Sequence, residues 1–215
     1  MKKIIILGAS GGCLEILNLL EEINKHKKQF EILGFLDDRY KKNKLINGFK
    51  ILGKFTDAKK FKKHIFFATA IGNSINFKKI ETIIKNLNIN KNRFPKLIHP
   101  SVSISKHSKV GQGTLIFQNA TISMNVKIGN FVNILPNTVI NHDCEIGSYS
   151  KLNTMCNLGG SVKIGKSCYI GSGTNIKEKL ILGKKNLIGM GSIILKSFKS
   201  ENLKIYGHPA SIKKA

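Results

Sequence analysis

From Ile98 to Ile194 every sixth residue is a branched aliphatic. The series opens Ile98, Ile104, Val110, Ile116 and closes Leu182, Ile188, Ile194, seventeen positions without a slip. Eight of these residues are followed by glycine, among them Gly111, Gly147 and Gly165. A second series sits four residues after each aliphatic and is nearly all small: Val102, Ser108, Thr114, Ala120 and onward to Cys168 and Thr174. One large apolar and one small position per six residues predicts a three-sided prism. The large residue fills the interior and the small one sits at the corner. Three hexads make a coil of eighteen residues, and coils stack as parallel strands about 4.8 Å apart. Hexapeptide periods of this kind are read as parallel β-helices, here of between five and six coils.

The first ninety-odd residues follow another pattern. "KIIILGASGG" reads as a buried strand entering a glycine turn, and Ile16, Leu17, Leu20 and Ile23 follow at helical spacing. "EILGFLDD" and "HIFFATAIGN" read as two further strands, and Ile80, Ile83, Ile84 and Leu87 as a second helix. Alternating strands and helices predict a small Rossmann-like parallel α/β domain over residues 1–95, followed by the β-helix over 96–215. The turn Gly8-Ala9-Ser10-Gly11-Gly12 opens a helix, whose N-terminus attracts phosphate. Asp37 and Asp38 end the next strand, where ribose hydroxyls are commonly held. Gly8, Ser10, Gly11, Asp37 and Asp38, with Gly72 and Asn73 after the third strand, are therefore the candidate nucleotide site.

The cysteines change little. Cys144, Cys156 and Cys168 recur every twelve residues on the small position, where a free cysteine packs as a small hydrophobe. Successive ones lie on different corners, so disulfides between them are not expected, and no CxxC pair offers metal or redox chemistry. Charge matters more. The chain carries 36 Lys and Arg against 12 acids, a net +24. Residues 1–97 hold 21 basic and 8 acidic residues (+13) and residues 98–215 hold 15 and 4 (+11), so the excess is spread evenly. Without a basic cluster interleaved with aromatics, nucleic-acid binding is not expected. An anionic small substrate would still be drawn in by this field. No apolar run reaches 18 residues, and "MKKIIILGAS" reads as a first strand, not a signal peptide. A cytoplasmic protein without membrane insertion is expected.

One interruption of the ladder carries chemistry: His142–Asp143 in "VINHDCEIGSY". Imidazole changes charge near neutrality and serves as a base, and a carboxylate beside it fixes its tautomer and stabilises the imidazolium. Gly160 lies eighteen residues on, at the same corner of the next coil, and would present a bare N–H to a developing oxyanion. Zinc is not expected: His107 and His142 are near two coils apart, and Gly147 stands where a third ligand would be needed.

The whole chain resembles the bacterial sugar O- and N-acyltransferases with a left-handed β-helix, which include sialic acid O-acetyltransferases and UDP-4-amino-sugar N-acetyltransferases. The residues that carry the resemblance are "ILGASGG", "FLDD", "AIGN", "LIHPSVSIS", "INHDCEIG", "SVKIGKSCYIGSGTNI" and "GHPA". The resemblance implies an acetyl-CoA-dependent acyltransferase of surface-glycan biosynthesis, acting on a nucleotide sugar or sialic acid. It implies a homotrimer with sites between neighbouring β-helices, His142 as general base and direct transfer without a covalent intermediate. The pantetheine arm of CoA would follow Gly171, Gly173 and Gly189, and its nucleotide the closing turn with Gly207 and Pro209, inside the stretch 203–215. Lys151 stands where the family has a second histidine near the thioester, so it is expected beside the cofactor. Gly12, Cys13 and Leu135 also depart from the family pattern. Phe117, Met124, Phe131, Met155 and Tyr169, apolar but outside the hexad series, are expected to be buried between copies. An inert trimeric scaffold is the alternative without catalysis.

Overall fold

The computed structural model describes residues 1–212; of the stretch 203–215, residues 213–215 lie outside the described part. The α/β part contains β1 (Lys2–Leu7), α1 (Gly12–His26), β2 (Phe30–Leu36), β3 (Leu45–Ile46), β4 (Phe49–Gly53), β5 (Phe66–Thr69) and α2 (Ile80–Asn86). Its sheet has the order β3-β4-β2-β1-β5, all parallel except the β3–β4 hairpin. Strand β1 is buried on both faces, which is why it reads as an unbroken apolar run. Ile4 and Ile6 pack with α1 through Ile16 and Leu20, while Ile5 and Leu7 pack with α2 through Ile80 and Ile84. The hairpin adds to the expected elements. Its turn is Asn47–Gly48, both with positive φ, the dipeptide that type I′ turns favour.

The β-helix begins at Leu97, and its two-residue strands pair in parallel with a constant offset of eighteen: Ile122 with Ile140, Ile140 with Leu158, Leu158 with Ile176. Three sheets result, of six, five and eight strands. The largest ends in an antiparallel return, Lys204–Gly207 with Ala210–Ile212. The hexad aliphatics from Ile116 onward are all buried in one continuous core. At the open N-terminal end Ile98, Ile104 and Val110 are only partly covered or exposed, because no coil lies below them. No helix of the described residues is long and apolar enough to cross a membrane.

The small positions are interior, and their polar members satisfy the next coil. Thr114, Thr138 and Ser150 donate to the carbonyls of Gly129, Asn153 and Gly165 at 2.9, 3.0 and 2.9 Å. The cysteines behave alike, Cys144 donating to the Gly159 carbonyl. Buried carbonyls left unpaired would cost about 1–3 kcal/mol each, so serine, threonine and cysteine suit the position better than alanine.

Glycine after the aliphatic has a steric cause. At Gly147 an added Cβ would lie 2.5 Å from the Gly165 carbonyl carbon and the Lys166 nitrogen, backbone atoms that no rotamer can move. Gly147→Ala should therefore cost about 1–3 kcal/mol and lower the thermal midpoint by several degrees. Gly11→Ala, where nothing lies within 4 Å and the backbone is helical, should melt with the parent. Equal midpoints for the Gly147 variant and the parent would remove the close-approach account.

Outward-facing strand residues give the three faces distinct characters. One carries Leu97, Leu115, Asn133, Lys151, Tyr169 and Leu187, and the α/β domain sits on it. A second, the lysine face, carries Lys109, Lys127, Glu145, Lys163 and Ile181, with Glu145 3.5 Å from both Lys127 and Lys163. The third carries Ser103, Thr121, Val139, Asn157, Asn175 and Ile193, without a single charge. Phe117, Phe131 and Tyr169, expected between copies, instead pack beneath the chain's own α/β domain; Phe131 stacks on Tyr149 at 5.4 Å and Tyr169 meets Phe77 at 5.7 Å. Met124 and Met155 remain exposed, at the two corners that flank the neutral face.

Candidate active site

Each corner of the β-helix turns through a residue with left-handed backbone, recurring every six positions from Gly113 to Gly191. Asparagine and aspartate tolerate that conformation better than most side chains, and Asp143 occupies one such position with φ 59°. His142 immediately precedes it, at the corner between the neutral and lysine faces. His142 Nδ1 and Asp143 Oδ2 are 2.8 Å apart. A carboxylate can only accept, so Nδ1 carries the proton and Nε2 keeps its lone pair. Asn125, at the equivalent position one coil earlier, donates to Asp143 Oδ1 at 3.2 Å and steadies it. The His142 hydrogen bond, then that of Asn125, holds the Asp143 carboxyl below its ordinary range. Asn125 has no special sequence signal except its distance of eighteen residues from Asp143.

The imidazole lies over Gly160. A Cβ there would stand 2.7 Å from His142 Nε2 and Cε1, so only glycine leaves the ring its place. The two coils are locked beside it by Ser161 N–H donating to the His142 carbonyl at 2.8 Å. Gln112 and Asn130, at equivalent turn positions, give their N–H groups to side chains one coil on. The Gly160 N–H has no acceptor among the described residues. A base with a free Nε2 and an unpaired N–H thus adjoin. The four cysteines offer no rival nucleophile: all are buried, and burial pushes the Cys156 and Cys168 thiols up to about 12. Among the described residues no three His, Cys, Asp or Glu side chains group as metal ligands.

The candidate nucleotide residues meet at the carboxyl ends of β1 and β5, the switch point of the sheet, where ligands of open α/β folds bind. Gly8 (φ 100°) turns the chain against Ala70 and Ile71; Ser10 and Gly11 are exposed before α1. Asp37 does something other than expected. It is 2% exposed and all its acceptor positions are filled. Oδ2 accepts from Ala9 N–H at 2.8 Å and from Arg39 Nη2 at 2.6 Å; Oδ1 accepts from Arg39 N–H and Nε at 2.9 and 3.0 Å. Burial pushes this carboxyl up, but the Arg39 and Ala9 donors outweigh it and keep the group below its ordinary range. Asp37 therefore pins the glycine turn and has no capacity left for a ribose unless Arg39 yields. Asp38 is exposed and accepts from the Phe55 N–H at 2.9 Å. Asn73 Oδ1 caps its own loop, accepting from the Ile75 and Asn76 N–H groups at 2.9 and 3.0 Å.

Of the residues expected along CoA, Gly171 and Gly189 line a cavity of about 630 Å³ between the Ser74–Lys78 loop, Tyr169 and the C-terminal strand with Lys204 and Tyr206. Gly173 sits at the same corner, outside its lining, and Gly207 and Pro209 belong to the C-terminal return. Lys151 is elsewhere. It projects from the domain-bearing face under the α/β domain and donates to the Gly72 carbonyl at 3.1 Å. His142 and Gly160 occupy the corner opposite that face. Within one chain the candidate base and the candidate nucleotide residues therefore lie apart.

Residues 3–81 match the PglD N-terminal domain, and residues 125–160 match the bacterial transferase hexapeptide (six repeats). No curated protein matches the sequence. Among solved structures, WeeI from Acinetobacter baumannii AYE is 27% identical with a TM-score of 0.82, over 98% of this chain and 99% of that one. The acetyltransferase domain of PglB from Neisseria gonorrhoeae FA1090 is 23% identical with a TM-score of 0.84, over 99% and 100%, and has also been solved with acetyl coenzyme A. A histidine-to-alanine mutant of GDP-perosamine N-acetyl transferase from Caulobacter crescentus, in complex with CoA and GDP-perosamine, is 19% identical with a TM-score of 0.84, over 99% and 97%. The α/β domain and the β-helix thus share the fold of these proteins over their whole length.

Proposed function

We propose that this chain transfers an acetyl group from acetyl-CoA to the amino group of a nucleotide-linked amino sugar; a sugar hydroxyl or a sialic acid is the alternative acceptor. The observation that carries the reading is the imidazole of His142, held by Asp143 through Nδ1, free at Nε2 and seated on Gly160. The like-folded proteins solved with acetyl coenzyme A and with GDP-perosamine support the substrate classes. Nε2 takes the proton from the acceptor nitrogen as that nitrogen attacks the thioester carbonyl carbon. Asp143 stabilises the imidazolium, and the Gly160 N–H is positioned as a donor to the oxyanion. Collapse breaks the carbon–sulfur bond, and the departing thiolate recovers the proton from His142. With every thiol buried, direct transfer needs no covalent enzyme intermediate. A cytoplasmic location is part of this proposal.

We also infer that the working unit is a homotrimer built on the neutral face. In a chain of net +24, that face alone has no charged residue in its outward column. It is flanked by the exposed Met124, Met155 and Met190. Cyclic symmetry would set it around the axis and bring the His142 corner of one copy toward the nucleotide crevice of the next. CoA would lie in the groove between two β-helices.

A thiol-release assay with acetyl-CoA against a panel of nucleotide amino sugars and sialic acids tests the activity. Release that depends on one acceptor class is the expected result. No release with any acceptor would leave the β-helix as a scaffold and remove the reading.

A further inference from the structure

Lys151 is a partly buried lysine between the two domains that, among the described residues, has only a neutral partner. Its Nζ donates to the Gly72 carbonyl at 3.1 Å, which uses one of its three N–H groups. Among the described residues no carboxylate lies within 4 Å of it. Lys166, on the next coil, shows the contrast, its Nζ 2.6 Å from Glu81. The neighbouring position on the same face, Asn133, has a buried Oδ1 with no partner. Opposite them is the turn before α1, where the Ser10 and Gly11 N–H groups find no acceptor among the described residues and no side chain caps the helix. The Ala70–Gly72 segment joins the two sides, since Gly12 lies against the Ala70 carbonyl and Lys151 donates to that of Gly72; the ammonium and the open N–H groups of the turn can all take further acceptors, whereas the Asn133 Oδ1 can itself only accept.

Burying an ammonium without a counter-ion is costly. Desolvation pulls the Lys151 ammonium below its ordinary range, opposed only weakly by Glu15 in the first turn of α1. A ligand that brings negative charge and several acceptor oxygens would satisfy the ammonium and the open N–H groups together. A thioester carbonyl offers one neutral oxygen; a diphosphate offers charge and several oxygens, and it suits a helix N-terminus.

We propose that Lys151 is an anion-binding residue of the acceptor site: from the β-helix it reaches into the crevice between β1 and β5 and holds the diphosphate of the nucleotide sugar, together with the start of α1. This rests on the nucleotide-sugar reading above, and it moves Lys151 from the cofactor to the acceptor.

UDP, GDP, CDP and dTDP, each beside its nucleoside, are titrated calorimetrically into the full chain without acetyl-CoA; acetyl-CoA is titrated separately. The variants are Lys151→Met and Lys151→Arg, with melting curves to confirm folding. Lys151→Met should weaken the diphosphate that the parent binds by about tenfold to a hundredfold. It should leave the nucleoside and acetyl-CoA unchanged, and Lys151→Arg should recover most of the loss. Equal diphosphate affinity in parent and Lys151→Met overturns the proposal alone. Equal weakening of nucleoside and diphosphate also overturns it and makes Lys151 a strap that positions the Gly72 loop. Loss confined to acetyl-CoA returns the residue to the donor side. A parent that binds none of the four diphosphates removes the nucleotide reading and this proposal together.

Discussion

His142→Ala is expected to lower turnover by about 10²–10⁴ while leaving the melting curve in place, because the side chain is 63% exposed and packs no core. Gly160→Ala should fall in the same direction without removing any titratable group, since its methyl would occupy the space of Nε2 and Cε1. The double variant then decides whether the two act as one device. If Gly160 serves chiefly by seating the imidazole, the pair loses no more than His142→Ala alone, a departure from additivity expected of residues in contact. A further loss in the double variant would mean that the added methyl also obstructs the acyl group at the Gly160 N–H. Activity of His142→Ala within a few-fold of the parent would remove the base assignment altogether.

Placing lysines on the neutral face should be more drastic. Thr121→Lys combined with Asn157→Lys brings like charges from every copy around one axis. Sedimentation should then report monomers, with acetyl transfer at background, because in the proposed trimer base and nucleotide crevice belong to different copies. The matched control, Lys127→Thr with Lys163→Asn on the lysine face, should keep both assembly and activity. A fully active monomer, or a trimer that survives the two lysines, would overturn the shared site.

The interior of the β-helix was legible in the sequence because a single residue in six records it, and that residue faces a core of its own kind. The exterior was not, for a physical reason. An outward side chain such as Phe117, Phe131 or Tyr169 shows that something covers it, yet its own α/β domain and a second copy would leave the same trace. Only the column of eighteen, Lys109 with Lys127, Glu145 and Lys163, or Ser103 with Thr121 and Asn157, separates the faces. That column appears once the coil length is known. The His142–Asp143–Gly160 corner followed from this same arithmetic. An acid at a strand end looks the same in sequence whether it receives a ribose or an arginine, and in the structure Asp37 holds Arg39, two residues on. Lys151 was assigned to the cofactor by likeness to a histidine, and the Gly72 carbonyl shows where its ammonium reaches.

The eighteen-residue offset also limits how such a chain can change in length. Deleting one hexad after Asp143 would leave every aliphatic inside and every small residue at a corner, so the protein would still fold. Everything downstream, however, would rotate by a third of a turn about the prism axis, and Lys166 would take the place of Gly160 beneath the imidazole. Core and site thus obey different counting rules, six for solubility and eighteen for chemistry. Gain or loss of whole coils beyond Gly160 keeps the core, the His142 corner and the order of the faces.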